Sequence, residues 1–370
     1  MNMPVASSVD GLTVRDVSTK AVSVPLTFAL GTSAAVVREA PLLLADLRTE
    51  EGIVGRGYVF AYTPSGARAI AGHLHEAVAL VKGQAIAPRA IARTLGRRFA
   101  LLGVTGTARM ALSLLDMALW DALAIAGGMP LARMLGGTCT PVRAYNSSGL
   151  GLMAPDAAVR EAGALLERGF EGVKLRLGYP TLNEDLAVLR AVRRGIPESV
   201  ALMVDYNQAL TLHEALARGR ALQEEGIAWL EEPIRHDDWR GNAALAAELR
   251  VPLQIGENFN GPEDLAEALR AGACDLVMPD LARIGGVSGW IDAAGAAAAS
   301  GVGMSSHLMP EVSAHLLAAT PTAHWLEYVD WADAILQEPL AIAAGRAVLP
   351  DRPGHGMAWD EAKLAKLRAL

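Results

Sequence analysis

Acidic side chains recur along the second half of the chain at intervals of about one strand and one helix. Asp205, Glu231 and Glu257 are 26 residues apart, and each ends a short apolar run with the pattern of a β-strand. Taken singly, each acid would be a solvated loop residue or a helix cap. At the ends of neighbouring parallel strands, however, the three carboxylates would converge and repel one another. A hard divalent cation resolves this repulsion, and Mg2+ accepts oxygen ligands while leaving positions for water and substrate.

A histidine and an aspartate end the two strand-like runs that follow. Asp280 ends the sixth run and His307 the seventh, so the two side chains would be neighbours in a parallel sheet. The carboxylate could then hold one ring nitrogen and leave the other free to act as a general base. The remaining histidines, such as His73, His213 and His315, lack this context, and we assign them structural roles.

Two cations and a further acid complete the candidate site. Lys174 and Arg176 are two residues apart on the second strand-like run, so the period of two directs both side chains to the same face. A pair of ion-paired core residues is the alternative, but only five of the 33 basic residues are lysines, and one of them lies here. Glu327 ends the last run and could donate a hydrogen bond to a substrate oxygen if an enclosed site raises its pKa.

Eight strands are needed to position these residues. From about residue 142, short strand-like runs alternate with helical patterns of 10 to 17 residues, which is typical of βα units and a parallel sheet. The last run has no clear helix after it. Because eight parallel strands close readily, we predict a (β/α)7β barrel with its catalytic residues at the carboxyl ends of the strands. The predicted strands are 142–148, 173–178, 201–207, 227–233, 252–257, 274–280, 302–307 and 324–328.

The first third of the chain has a different order of elements. Three β-like runs, 14–24, 42–47 and 53–60, precede helical patterns at 67–80, 87–102 and 109–126, which indicates an α+β domain. We therefore predict an α+β domain over residues 10–138 and a barrel over 139–340. The tail, 341–370, is predicted to return to the N-terminal domain.

Composition narrows the range of partners. A net charge of -7, with no run of five basic residues, gives no electrostatic footprint for nucleic acid or an anionic membrane. No stretch of about 18 strongly apolar residues occurs. Cys139 and Cys274 form neither a disulfide framework nor a zinc motif, and the start, MNMPVASSVDGLTVRDV, lacks the pattern of a signal peptide. These features predict a cytoplasmic protein that binds small molecules.

Several sequence motifs resemble the mandelate racemase subgroup of the enolase superfamily. They are VKLRLGYP, MVDYNQ, WLEEP, QIGENF, MPDLARIGGVSGW, the run SSHLMPEVSAHLLAATPTAHWLE and, upstream, FAYTP and LLDMALWDAL. The resemblance extends from about residue 15 to residue 358. It implies an N-terminal α+β capping domain over a (β/α)7β barrel, with Mg2+ on the three acids at 205, 231 and 257 and an acid/base formed by His307 and Asp280.

The same resemblance implies an activity and further roles. The implied reaction removes the proton α to a carboxylate, and the enediolate that results is stabilised by Mg2+, by Lys174 and by a protonated Glu327. Ser147 and Asn207 would contact the substrate or the intermediate. The segment Leu26–Leu30, with Phe60 and Tyr62, would supply apolar walls to the site. We expect a small-molecule carboxylate substrate and a homo-oligomer.

One position departs from the subgroup. The subgroup has a KxK motif on the second strand, where this chain has Lys174-Leu175-Arg176, and arginine is a poor base at neutral pH. Arg176 is then either an unusually acidic arginine that serves as a base or a fixed cation. Arg283 also replaces a lysine of the subgroup.

Three functions remain open. The first is a racemase or epimerase of a 2-hydroxy acid, which the apolar walls favour. The second is an acid-sugar dehydratase that uses His307 alone, and the third is a catalytically silent barrel that binds other molecules.

Overall fold

The computed structural model describes residues 11–32 and 36–370. Residue 10, the predicted start of the N-terminal domain, and the first ten residues of the segment examined for a signal peptide lie outside this range. The described residues form a four-stranded antiparallel sheet and a larger sheet of mainly parallel strands.

The antiparallel sheet and its helices form the N-terminal part, as the order of elements predicts. The three long strands pair in sequence, and the β1–β2 pairing continues to Gly31 opposite Val36, beyond the predicted runs. This extension brings Gly31 to the barrel, where the backbone N–H of Leu152 donates to its carbonyl oxygen at 2.9 Å. The second helix is shorter than predicted, because Leu101 and Leu102 lie in an exposed turn before the third. The elements are β1 (Val14–Gly31), β2 (Val36–Thr49), β3 (Val54–Phe60), α1 (Pro64–Val81), α2 (Pro88–Arg98), α3 (Gly106–Ala126) and α4 (Leu131–Met134).

Glycines in β3 allow α3 to pack directly on the sheet. A Cβ added at Gly55 would lie 1.9 Å from the carbonyl oxygen of Ala118 in α3. We expect Gly55→Ala to lower the free energy of unfolding by about 1–3 kcal/mol or more, because the clash is with backbone and cannot be relieved by a rotamer change. Urea denaturation would measure this.

A matched glycine in the same domain provides the control. A Cβ at Gly72, within α1, meets no heavy atom within 4 Å, so Gly72→Ala should leave stability unchanged or raise it by up to about 1 kcal/mol. Equal effects at Gly55 and Gly72 would contradict the close approach of β3 and α3.

The eight predicted strands of the barrel are all present. They are β4 (Val142–Asn146), β5 (Gly172–Arg176), β6 (Ala201–Asp205), β7 (Leu230–Glu231), β8 (Leu253–Ile255), β9 (Leu276–Val277), β10 (Gly303–Met304) and β11 (Leu326–Tyr328). Strands β4 to β10 are parallel neighbours in sequence order, and β11 pairs with β4. The sheet closes between β10 and the segment that leads into β11. There Met304 N donates to Thr322 O and His324 N donates to Met304 O, both at 2.9 Å.

The strands end earlier than the sequence pattern predicts. After β6, β7 and β8 the chain leaves the ladder through residues with positive φ, namely Asn207 (44°), Glu232 (34°) and Gly256 (140°). These turns leave the side chains near each strand end free to face the mouth of the barrel.

Helices connect the strands in the predicted alternation. Thr181 and Glu184 form a capping box at the start of one of these helices, and Thr211 and Glu214 form a second one. The helices are α5 (Pro155–Leu166), α6 (Leu182–Gly195), α7 (Leu212–Leu222), α8 (Trp239–Glu248), α9 (Pro262–Ala271), α10 (Leu281–Ile284), α11 (Gly286–Ala299) and α12 (Pro310–Leu317). A 3-10 turn, Gln223–Glu225, follows α7. Within the described part of the chain, no helix combines the length and apolarity required to cross a bilayer.

The C-terminal tail contacts both parts of the molecule. It consists of β12 (Ala341–Ala343), β13 (Arg346–Val348), α13 (Glu361–Leu364) and β14 (Arg368–Ala369). Strand β13 pairs with β4 of the barrel, whereas β14 pairs with β1 of the N-terminal sheet. Trp359 Nε1 also donates to Asp46 Oδ1 at 2.8 Å, which fixes the tail against β2.

Candidate active site

Three carboxylates converge at the carboxyl ends of neighbouring barrel strands. Asp205 and Glu231 are the last residues of β6 and β7 and lie directly opposite each other in the parallel register. Glu257 follows β8 after the turn at Gly256. Each residue offers an oxygen atom, and these atoms all lie within 4.8 Å of one another. The sequence prediction that the three acids meet is therefore matched by their placement.

The chemistry of this cluster fits a hard divalent cation. All three donors are carboxylate oxygens, and Glu231 is completely buried. Burial raises the pKa of Glu231, Lys174 lowers it and the nearby Asp205 raises it, and the net result is a pKa of about 8. Trp229 Nε1 donates to Glu231 Oε2 at 2.9 Å and fixes this carboxylate. Buried oxygens that repel one another are the environment that Mg2+ stabilises.

Lys174 lies among the carboxylates rather than apart from them. Its Nζ is 2.5 Å from Glu231 Oε1, 2.8 Å from Glu327 Oε1 and 3.5 Å from Asp205 Oδ2. Burial alone would lower the pKa of Lys174, but Glu231 and Glu327 outweigh it and hold the pKa well above its ordinary value. The side chain is therefore a charged ammonium at the base of the mouth.

His307 and Asp280 form a close pair at the ends of the seventh and sixth strands. His307 Nδ1 lies 2.7 Å from Asp280 Oδ2. The other oxygen of Asp280 caps α10 by accepting from the backbone N–H groups of Ala282 and Arg283, so the carboxylate is oriented from both sides. His307 Nε2 faces Glu257 Oε2 at 3.4 Å. Burial lowers the pKa of His307, but Glu257 and Glu327 outweigh this effect and raise it to about 9.

Glu327 differs from the sequence expectation of a neutral acid. Burial raises the pKa of this carboxyl, but the charges of Lys174 and His307 and the backbone N–H of Leu308 outweigh burial, so the pKa lies below its ordinary range. The Leu308 N–H donates to Glu327 Oε2 at 3.0 Å. In this arrangement Glu327 is an ionised partner of Lys174, which the position of Glu327 at a strand end did not reveal.

Arg176 is held by neutral acceptors. Its Nη1 donates to the carbonyl oxygens of Ser147 and Gly149 at 3.2 and 2.6 Å, and its Nη2 donates to Ser147 Oγ at 2.8 Å. Among the described residues, no carboxylate lies within ion-pair distance of this guanidinium. Its Nε is buried without a protein partner in the described part of the chain. Ser147, expected to contact substrate, lies against Arg176 and does not line the catalytic cavity.

Asn207 and Tyr62, the other expected substrate contacts, both line the cavity. Asn207 donates to Asp205 from its backbone N and its Nδ2, at 2.7 and 3.0 Å. Its Oδ1 is buried and has no partner among the described side chains and backbone, so it can accept a hydrogen bond from a ligand. Tyr62 reaches the cavity from the N-terminal domain.

These groups surround a cavity of about 370 Å3 between the two domains. One side is polar and carries the acids, Lys174 and His307, whereas the other side is apolar. Of the segment predicted to form apolar walls, Leu30 lines the cavity together with Phe60, but Leu26 and Phe28 do not. Sequence reasoning did not find the apolar residues that complete this side, because they come from the β2 hairpin and from the loops after β10 and β11. They are Val37, Leu308, Val329 and Trp331.

Sequence reasoning also missed Glu232 and Asn258, which lie beside the acids. Glu232 is buried, and Asn258 Nδ2 donates to its Oε2 at 2.8 Å and to Glu257 Oε1 at 3.2 Å. Glu232 is the second acid of the WLEEP motif, and this position could have indicated a role in the site. The motif was instead assigned to its neighbour Glu231 alone.

Converging carboxylates suit a divalent cation, and an oriented imidazole beside them suits the removal of a substrate proton. The fold and the site thus define a metal-dependent barrel enzyme with an N-terminal capping domain. The family model described as mandelate racemase / muconate lactonizing enzyme, N-terminal domain, matches residues 12–136, and the model described as enolase C-terminal domain-like matches residues 157–363. The chain belongs to the mandelate racemase/muconate lactonizing enzyme family of the enolase superfamily, whose enzymes depend on Mg2+.

Three similar proteins illustrate the range of this family. L-talarate/galactarate dehydratase of Salmonella typhimurium is 33% identical over 327 residues, which cover 87% of this chain and 81% of that protein. The crystal structure of an enolase from the alpha proteobacterium bal199, with bound Mg, is 44% identical, has a TM-score of 0.95 and covers 97% of this chain and 100% of its own. A Bradyrhizobium enolase complexed with magnesium and mandelic acid is 38% identical, with a TM-score of 0.92 and full coverage of both chains.

Proposed function

We propose that the protein removes the proton α to the carboxylate of a 2-hydroxy acid with an apolar, mandelate-like substituent and racemises that acid through an enediolate. The observation that carries this proposal is the two-sided cavity. Its polar side suits a carboxylate and a hydroxyl group, and its wall of Leu30, Phe60 and Trp331 suits an aryl or alkyl group better than a polyol. The Bradyrhizobium relative that holds mandelic acid supports this choice.

The residues of the polar side would bind and polarise the substrate. Asp205, Glu231 and Glu257 would hold Mg2+, which when bound supplies positive charge beside the substrate carboxylate. The Lys174 ammonium adds a second positive charge at the base of the cavity. Asn207 Oδ1 can accept a hydrogen bond from the substrate hydroxyl. Together these groups offset the negative charge that develops as the α proton leaves.

His307 would remove the α proton. A divalent cation on the three acids would offset part of the carboxylate charge that raises the pKa of His307. In the neutral ring, the contact with Asp280 holds the proton on Nδ1 and leaves the lone pair of Nε2 facing the cavity. After abstraction, the imidazolium is stabilised by Asp280. We propose that the carboxylate of a bound substrate raises the pKa of Glu327, which lies beside both Lys174 and His307, so that Glu327 takes a proton from solvent when the substrate binds. In this neutral form it would donate a hydrogen bond to the enediolate oxygen.

The geometry of Arg176 favours a second candidate function. Because its guanidinium donates to two carbonyl oxygens and one hydroxyl, Arg176 is built as a fixed cation rather than as a base. A site with His307 as its single acid/base suits dehydration, in which the same imidazole removes the α proton and assists the departure of a β-hydroxyl. The dehydratase relative at 33% identity is consistent with this alternative.

Incubation with Mg2+ in D2O distinguishes the two functions. Both enantiomers of mandelate and a panel of acid sugars would be followed by NMR for loss of the α proton. If the protein is a racemase, we expect exchange of the α proton of mandelate and interconversion of its enantiomers. If it is a dehydratase, we expect a 2-keto acid product from an acid sugar. No α-proton exchange with any substrate would favour the third possibility, a catalytically silent barrel.

Arg176→Lys tests whether residue 176 can act as a base on the face of the enediolate opposite His307. If Arg176 is a fixed cation, the wild type exchanges the α proton of one enantiomer only, and Arg176→Lys creates or accelerates exchange of the other by about tenfold or more. The reason is that a lysine beside Lys174 loses its proton far more readily than an arginine does.

Two other outcomes are informative for Arg176. Comparable exchange of both enantiomers by the wild type, with a basic limb of the pH profile that moves in Arg176→Lys, would make the arginine a working base. Unchanged rates in Arg176→Lys would place Arg176 outside the proton path.

The cytoplasmic location and the homo-oligomer expected from the sequence stay predictions.

A further inference from the structure

Arg283 joins the barrel to the capping domain beside the catalytic cavity. Its Nη1 donates to Asn258 Oδ1, and its Nη2 donates to the hydroxyl of Tyr62 at 2.5 Å. The guanidinium carbon lies 5.0 Å from the centroid of the Tyr62 ring. Because Arg283 belongs to α10, which Asp280 caps, its backbone is anchored to the histidine–aspartate pair. One side chain thus contacts a residue of each domain.

The barrel end of this connection reaches a proposed metal ligand. Asn258 accepts from Arg283 and donates to both Glu257 and Glu232, at 3.2 and 2.8 Å. An asparagine amide that is bound on both sides has a single orientation. Arg283 therefore determines which way Asn258 presents its Nδ2 to Glu257.

The cap end of the connection lies between two cavities. Tyr62 lines the catalytic cavity and also a second cavity of about 450 Å3, and no other described residue is shared by the two. The second cavity is bounded by the start of α3, by His236 and Asn260 of the barrel loops, and by Arg283 itself. Tyr62, which is 44% exposed, thus lies at the boundary of the two spaces.

The backbone of Tyr62 does not hold this position by itself. Its φ of 62° is uncommon for a tyrosine, and Thr63 immediately begins α1 as its N-cap. A residue in such a conformation persists when tertiary contacts determine it. The phenol ring packs on Phe60 at 4.3 Å between centroids, and Arg283 donates to its hydroxyl.

We propose that Arg283 is a positioning residue that sets substrate specificity by holding Tyr62 across the boundary of the two cavities. The planar guanidinium of arginine can donate to Asn258 and Tyr62 at once while it lies near the Tyr62 ring. The single ammonium of a lysine lacks this forked arrangement of donors. Held in place, Tyr62 limits the substituent of the substrate to the catalytic cavity. Released, it opens that cavity to the second one and admits a larger aryl group. This specificity role rests on the proposed function.

The kinetic test compares Tyr62→Phe, Arg283→Met and the double variant, each as the full Mg2+-loaded chain. The readout is the ratio of kcat/KM for a naphthyl 2-hydroxy acid to that for mandelate. Each single variant should shift this ratio toward the larger acid by about tenfold or more, because it removes the hydrogen bond to a charged group that holds the Tyr62 ring in place. The double variant should shift it no further, because both changes remove one contact.

Two features of the kinetics separate this role from a general loss of structure. Arg283→Met should also lower kcat for mandelate more than Tyr62→Phe does, because it releases Asn258 as well as Tyr62. Arg270→Met, which removes an exposed arginine paired with Glu267, should leave the ratio unchanged. Additive effects of the two single changes, or an unchanged ratio, would overturn the proposal.

A measurement that needs no substrate tests the contact independently of the proposed function. Hydrogen–deuterium exchange of residues 61–66 should be faster in Arg283→Met and Tyr62→Phe than in the wild type or in Arg270→Met. If wild type leaves every 2-hydroxy acid unchanged, the proposed function fails, but faster exchange in this segment still supports the positioning of Tyr62 by Arg283. Equal exchange in all four proteins would overturn that positioning.

Discussion

Replacing His307 with asparagine should reduce α-proton exchange by about 10²–10⁴-fold, the usual contribution of a general base. Asparagine can still donate to Asp280, but it has no lone pair that accepts a proton at neutral pH. His307 is the only imidazole among the described residues that line the catalytic cavity, so no neighbour replaces it. The loss should be greatest for the enantiomer whose α proton faces the seventh strand. NMR in D2O with each enantiomer of mandelate would measure it.

Two further variants define how specific this effect is. His213 is exposed on α7, away from the cavity, so His213→Asn should leave exchange unchanged. Asp280→Asn keeps the imidazole but weakens the group that orients it, so a smaller loss is expected than in His307→Asn. If His307→Asn exchanged both enantiomers at the wild-type rate while remaining folded by circular dichroism, His307 would have no part in the proton transfer.

The barrel could be predicted because its pattern is local and repeated. Each βα unit places one apolar run and one helix in about 25 residues, so the polar residue at the end of each run recurs at that interval. Asp205, Glu231 and Glu257 were found in this way. The exact strand ends could not be predicted, because they depend on positive-φ turns such as that at Asn207, which the apolar pattern does not mark.

The contacts within the mouth depend on side-chain directions that spacing does not encode. The sequence placed Lys174 near the acids but did not show that it lies within 3 Å of both Glu231 and Glu327. The expectation of a neutral Glu327 differs from the structure for this reason, since Lys174, His307 and the Leu308 N–H together favour the ionised form more strongly than burial opposes it. Trp331 and Val37 reach the cavity from segments almost 300 residues apart, so their meeting was not visible in the sequence.

The balance of charge in the mouth argues for a divalent cation. Four carboxylates, those of Asp205, Glu231, Glu257 and Glu327, surround the ammonium of Lys174 and the ring of His307. A substrate adds a further carboxylate, and removal of the α proton adds another negative charge. Coulomb repulsion at such short distances is large in a buried site. Two cationic side chains offset two of these six negative charges, and a divalent cation at the converging oxygens would offset two more.

Removal of the metal should therefore abolish the reaction. After exhaustive EDTA treatment, α-proton exchange should fall to background and return when Mg2+ is restored. Asp205→Asn should weaken Mg2+ binding by about 100-fold or more in calorimetry, because changes in groups that merely support a ligand already cost about 10–100-fold. The same variant should lower the exchange rate by about 10³-fold, because Lewis-acid stabilisation contributes several kcal/mol and 1.36 kcal/mol is tenfold.

Asp292→Asn is the matched control for Asp205→Asn, since Asp292 forms a half-exposed ion pair with Arg89 and does not line the catalytic cavity. It should bind Mg2+ and exchange the α proton as the wild type does. Mg2+ should also raise the melting temperature of the wild type and of Asp292→Asn but not of Asp205→Asn, because a ligand that binds only the folded state stabilises it by RT ln(1 + [L]/Kd). Full turnover by the EDTA-treated protein, or wild-type affinity for Mg2+ in Asp205→Asn, would show that these carboxylates do not hold the metal.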